Sequence, residues 1–115
     1  MDQETKRDFI SAWIAIEEAA HSTARAKGFW DKDRNDGEAI ALMHSELSEA
    51  LEALRHGNPP DDKVPEFSGV EAELADVVIR IMDFAAGKGF NVAGALISKM
   101  EMNKTRGRMH GCKRF

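Results

Sequence analysis

The sequence predicts an all-α protein, a four-helix, bundle-like protomer. Three observations predict it. Apolar residues recur at helical spacing in four separate windows. The three prolines and several of the glycines fall between or just beyond those windows. No stretch alternates polar and apolar residues as a half-buried strand does. Four helices with short links pack as a bundle.

The first helix is expected over residues 4 to 27, with Phe9, Ile10, Trp13, Ile16, Ala20 and Ala24 at helical spacing and Gly28 as its stop. "FWDKDRND" (29 to 36) is a polar connection with an aromatic start. The second helix runs from about 37 to 56, capped by Asp36 and ended by Gly57. "NPPDDKVPEFSG" (58 to 69) holds all three prolines and reads as loop. The third helix covers about 70 to 87, ending at Gly87 and Gly89, and the fourth runs from about Asn91 to Thr105. The 115 residues suffice for one domain and one core, so residues 1–115 are read as a single domain with a basic tail at 98–115.

Composition narrows the class. Apolar residues make up 43% and charged residues 31%, the balance of a globular chain rather than a disordered one. No apolar run approaches the roughly 18 residues of a membrane span, and "MDQETKRD" does not resemble a signal peptide. Cys112 is the only cysteine, which excludes an internal disulfide or a multi-cysteine zinc site. The expected location is the cytoplasm. Net charge is −4, but from residue 99 onward six basic residues face one acid, so the rest of the chain carries −9. A basic tail beside an acidic body fits an anionic ligand, a nucleic acid, or the protein's own acidic face.

The informative stretch is "HSELSEALEALRHG", residues 44 to 57. At about 100° per residue, Ala39, Leu42, Met43, Ala50 and Ala53 fall within roughly 60° of Glu46, and so does Glu49. Helix three repeats the oddity: Glu73 and Asp76 share a stripe with Val70, Val77, Phe84 and Arg80. Four carboxylates directed into one interior are strongly unfavourable unless neutralised. Either cations gather them, or bases such as Arg80 pair with them. An all-oxygen set suits Mg²⁺ or Mn²⁺ better than zinc. A di-iron bundle would need two ExxH motifs, and Glu18-x-x-His21 is the only one. Both central helices also carry a second apolar stripe, with Ile40, Leu47 and Leu51 on helix two and Leu74, Val78, Ile81 and Ala85 on helix three. In so short a chain that second side is expected to meet another subunit.

Glu46-x-x-Glu49, then Glu73-x-x-Asp76, resembles the ExxE…ExxD signature of the MazG-like all-α nucleoside triphosphate pyrophosphohydrolases. "KMEMNKTRGRMHGCKRF" resembles that family's closing pattern through Lys99, Asn103, Arg106, His110, Gly111 and Lys113. The resemblance covers helices two to four and the tail. Two positions depart from it: Ser45 precedes Glu46 where many members carry a second acid, and Gly107 stands where a proline often follows the arginine. The resemblance implies a homodimer or homotetramer. It implies Mg²⁺-dependent hydrolysis of (d)NTPs to (d)NMP and pyrophosphate, a housecleaning of the nucleotide pool. Glu46, Glu49, Glu73 and Asp76 would be the catalytic metal ligands.

Lys99, Asn103 and Arg106 share one helical face and fit phosphate and sugar contacts, with His110 and Lys113 as further phosphate contacts. The alternative is a solvated terminal helix with a frayed tail. Trp30 either stacks on a nucleobase or plugs the end of the bundle. Trp13 reads as core, Asp83 as a helix-surface or ion-pair residue, and Glu17 as a partner for Arg80. The rival to the enzyme, which would bind no nucleic acid, is a non-enzymatic helical homodimer. That rival would use its basic tail to bind nucleic acid or a protein partner.

Overall fold

The computed structural model describes residues 1–108 and contains four helices: α1 (Gln3–Ala26), α2 (Asp36–Arg55), α3 (Gly69–Lys88) and α4 (Val92–Lys104). Among the described residues there is no strand, only an isolated bridge between Pro60 and Ser68 inside the loop. No described helix is long and apolar enough to cross a membrane.

Each helix starts at a side-chain cap that satisfies an otherwise orphaned N–H. Asp2 accepts from Thr5 N at 2.7 Å, and Asn91 accepts from Gly94 N at 2.9 Å. Ser68 and Glu71 form a reciprocal capping box, each side chain accepting from the other's backbone N–H. The α2 cap is Asn35, not Asp36: Asn35 has the extended backbone and accepts from Glu38 N at 2.9 Å. Asp36 is instead the first helical residue, where its charge suits the helix dipole. The α3 stop also lies later than expected. Gly89, at φ +74°, provides the left-handed C-cap, and Gly87 lies within the helix, where a tryptophan packs in the space its Cβ would take.

α2 and α3 form an antiparallel pair. At one end Asn58 accepts from Val70 N at 2.8 Å, and at the other Lys88 Nζ meets Asp36 at 3.0 Å. α1, roughly 36 Å long, is the spine. Its C-terminal half lies on α3 through His21 and Asp83, and its N-terminal half lies on α4 through Lys6 and Glu101. The buried apolar residues are few: Ala39 and Ala50 of α2, Met82, Phe84 and Ala85 of α3, and Ala93 and Ile97 of α4. Trp13 is half-buried and α1 has no buried residue; Ile16, expected on the α1 core stripe, is exposed. The second stripes of α2 and α3 split. Ile81 and Ala85 turn inward, whereas Ile40, Leu47 (45% exposed), Leu51 (50%), Leu74 (47%) and Val78 face outward.

Candidate metal and phosphate site

Because α2 and α3 run antiparallel, the middle of one faces the middle of the other. That apposition brings Glu46, Glu73 and Asp76 together, with one oxygen from each lying within 4.8 Å of the others. No other group of three or more metal-ligating side chains of this kind occurs among the described residues. Glu49, expected as the fourth member, is exposed and stands outside the set, although its charge is felt at Glu73. It lies roughly 60° round the helix from Glu46, at the rim of the interhelical face.

Crowding marks the electrostatics. Partial burial raises the Glu73 carboxyl to about 7, helped by a hydrogen bond with Glu46 and the charges of Glu46, Asp76 and Glu49. Asp76 is raised by partial burial, then by Glu46; Arg80 opposes this, Asp61 adds to it, and Lys63 opposes it. One cation is bonded inside the cluster: Arg80 Nε donates to Glu46 Oε1 at 2.9 Å. Glu17 is therefore not the partner of Arg80; it accepts from Trp13 Nε1 at 3.3 Å, one turn along its own helix.

Beside the acids lies a cavity of about 330 Å³ between α1, α2 and α3. Ala20, Ala24, Phe29 and Ile79 contribute apolar lining, and Lys27, Arg34 and Arg80 contribute basic lining; Glu46, Asp76 and Asp83 also line it. No local pattern marks Lys27 or Arg34 for this place, because both reach the cavity only through the packing of α1 and the following loop.

Asp83 anchors a second centre of a different kind. It is buried (5% exposed) and meets donors on both oxygens. Trp30 Nε1 donates to Oδ1 at 2.8 Å, Arg34 donates to Oδ2 at 2.7 Å, and His21 Nδ1 lies 2.9 Å from Oδ1. It is thus an interior ion-pair residue rather than a surface one. The Arg34 guanidinium sits 4.8 Å over the Trp30 ring, and His21 meets that ring edge-on at 5.0 Å. Trp30 is fastened between α1 and α3, beside Gly87. His21, the histidine of the lone ExxH, is taken up by Asp83, while Glu18 is exposed.

The expected phosphate contacts of the fourth helix lie elsewhere. Lys99, Asn103 and Arg106 are exposed and do not line the cavity. The last turns of α4 sit beside Lys6, whereas the cavity is lined by residues 20 to 27 of α1, roughly 20–30 Å away along that helix. His110 and Lys113 lie outside the described residues.

Comparison of the chain with protein-family models, with curated proteins and with solved structures finds no match.

Proposed function

We propose that the protein is a Mg²⁺-dependent nucleotide pyrophosphohydrolase of the MazG-like kind, cleaving (d)NTPs to (d)NMP and pyrophosphate. The observation that carries this reading is the convergence of Glu46, Glu73 and Asp76 beside a cavity lined by both apolar and basic side chains. Three carboxylates with open space beside them fit a hard ion that keeps further positions for water and phosphate oxygen. Mn²⁺ would fit the same donors.

When bound, the ion supplies charge screening for the phosphates and acidifies a water molecule. Glu46, Glu73 and Asp76 would hold it. In the reaction the water oxygen bonds to the α-phosphorus, and the bond from that phosphorus to the bridging oxygen breaks. Pyrophosphate leaves and the water proton passes to solvent. Phosphoryl chemistry of this kind depends on positioning and charge compensation more than on covalent help. The apolar lining of Ala20, Ala24, Phe29 and Ile79 suits the nucleoside end of such a substrate.

The proposed working form is a homodimer or homotetramer. Its support is the outward apolar stripe of Ile40, Leu47, Leu51 and Leu54 on α2, with Leu74 and Val78 on α3. Sedimentation at micromolar concentration is expected to give a dimer or tetramer, and a folded monomer would reject that assembly.

The deciding experiment is pyrophosphate release from a panel of dNTPs and NTPs, with and without Mg²⁺. Turnover only with Mg²⁺ is expected. No turnover on any substrate would move the protein to the rival class, a helical binding protein using its basic α4 and tail. Binding to a duplex that weakens steeply with salt would then mark that class.

A further inference from the structure

Arg80 belongs to two environments at once. Its Nε donates to Glu46 Oε1 at 2.9 Å, while its side chain, 28% exposed, lines the cavity. The other basic side chains of the cavity differ from it. Arg34 is committed: it is bonded to Asp83, seated over Trp30 and only 11% exposed. Lys27 is exposed and makes no ion pair among the described residues.

Glu46 therefore serves two cations that cannot both hold it fully. Without a divalent ion, Arg80 is its counter-charge. A divalent ion bound by Glu46, Glu73 and Asp76 neutralises the same carboxylate and weakens the attraction that keeps Arg80 there. The Arg34 charge is balanced by Asp83, so Lys27 and a loosened Arg80 are the cavity cations left to meet an anion. Lys27 and a loosened Arg80, beside an acidic set most of whose charge the ion offsets, form an anion site. An arginine offers a planar fork suited to two phosphate oxygens, and a lysine offers a point charge.

From this we infer that Lys27 and Arg80 grip the leaving pyrophosphoryl group, Arg80 exchanging Glu46 for phosphate oxygens once the divalent ion is in place. The inference rests on the hydrolase reading and extends it, because it puts the phosphate grip on α1 and α3 of the same protomer rather than on α4 and the tail.

Calorimetry with Mn²⁺ alone, then with inorganic pyrophosphate at saturating Mn²⁺, tests it on the full chain. Arg80→Gln is expected to bind Mn²⁺ as tightly as the parent chain or a few-fold tighter, and pyrophosphate about 10- to 100-fold more weakly, the loss of charge-assisted hydrogen bonds. Lys27→Gln, at an exposed position that folding does not depend on, is expected to keep Mn²⁺ affinity and weaken pyrophosphate about 3- to 10-fold, the loss of one point charge. Unchanged pyrophosphate affinity in Lys27→Gln and in a folded Arg80→Gln overturns the inference. So does parallel loss of Mn²⁺ and pyrophosphate in Arg80→Gln, which would make Arg80 a mere support for Glu46. If Arg80→Gln does not fold, Lys27→Gln decides alone. A parent chain that binds no Mn²⁺ removes the hydrolase reading along with it. Mn²⁺ binding with unaltered pyrophosphate affinity in the variants removes this inference only.

Discussion

α3 carries two carboxylate centres, two turns apart, with opposite electrostatic arrangements. Asp83 is buried, and three donors from α1 and the α1–α2 connection meet its two oxygens. Glu73 and Asp76 lie near the surface, beside Glu46, and the group holds one bonded arginine among three acids. A buried carboxylate with donors on both oxygens ties segments together and has its charge already answered. Carboxylates that crowd one another, so that one retains its proton up to about pH 7, are left with unmet demand for positive charge. The first arrangement is what a fold needs, and the second is what a ligand answers.

Substitution separates the two centres, and the largest effect on the fold is expected at Asp83. Asp83→Ala strands the Arg34 guanidinium and the Trp30 N–H in the interior, a loss of about 3–5 kcal/mol in unfolding free energy by denaturant titration. A loss under 1 kcal/mol would break the contrast. At the cluster the effect moves from folding to chemistry. Asp76→Asn and Glu46→Gln are expected to lower pyrophosphate release at least ~100-fold, on the scale of losing one pre-organised electrostatic contact, with the thermal midpoint of Asp76→Asn kept or raised. An unfolded Asp76→Asn would make that acid structural instead.

Gly87→Ala sharpens the comparison from the side of the Asp83 centre. The new methyl collides with the Trp30 ring, so a net loss of about 1–2 kcal/mol is expected, overpacking outweighing the helix preference for alanine. Asp83's hydrogen bond from Trp30 should weaken, which indole fluorescence can follow.

The smallest expected effect is a pH slope in the ion-free protein. The Glu73 carboxyl is raised from 4.5 to about 7 in the fold, so the folded chain binds more protons than the unfolded one between those values. Its contribution to stability is complete below about 4.5 and is lost as pH rises through 7. The raised Asp76 acts in the same direction. Asp2, Glu71 and Glu101 are lowered, so their contributions vanish on acidification below this window. The thermal midpoint is expected to fall from pH 5 to pH 8, and Glu73→Gln should flatten that fall. A midpoint that rises over the same interval would show that the crowding at Glu73 does not govern stability there.

Helix existence and the inward stripe of α2 were legible because both follow from spacing along one helix. The helix ends were legible only in part. Asn35 and Asp36 are both good caps on paper, and backbone conformation chose the first. Gly87 and Gly89 are both good stops on paper, and the left-handed backbone at Gly89 made it the stop, while Gly87 admits the Trp30 ring. The acidic pairs were legible as pairs. Which acids would meet was not, because Glu49 lies at the edge of its stripe and a small helix rotation decides between the interior and the rim. The Asp83 centre was illegible: its partners lie 49 to 62 residues away in the chain, and no local pattern links them.

By itself the sequence determined four helices, their loops, and two acidic pairs on apolar faces, since periodicity and turn chemistry act over a few residues. Tertiary structure alone decided that Glu46 joins Glu73 and Asp76, that Arg80 reaches Glu46, and that Lys27 faces their cavity. Those meetings depend on how whole helices pack against one another, and electrostatic demand is set by the distances that packing creates.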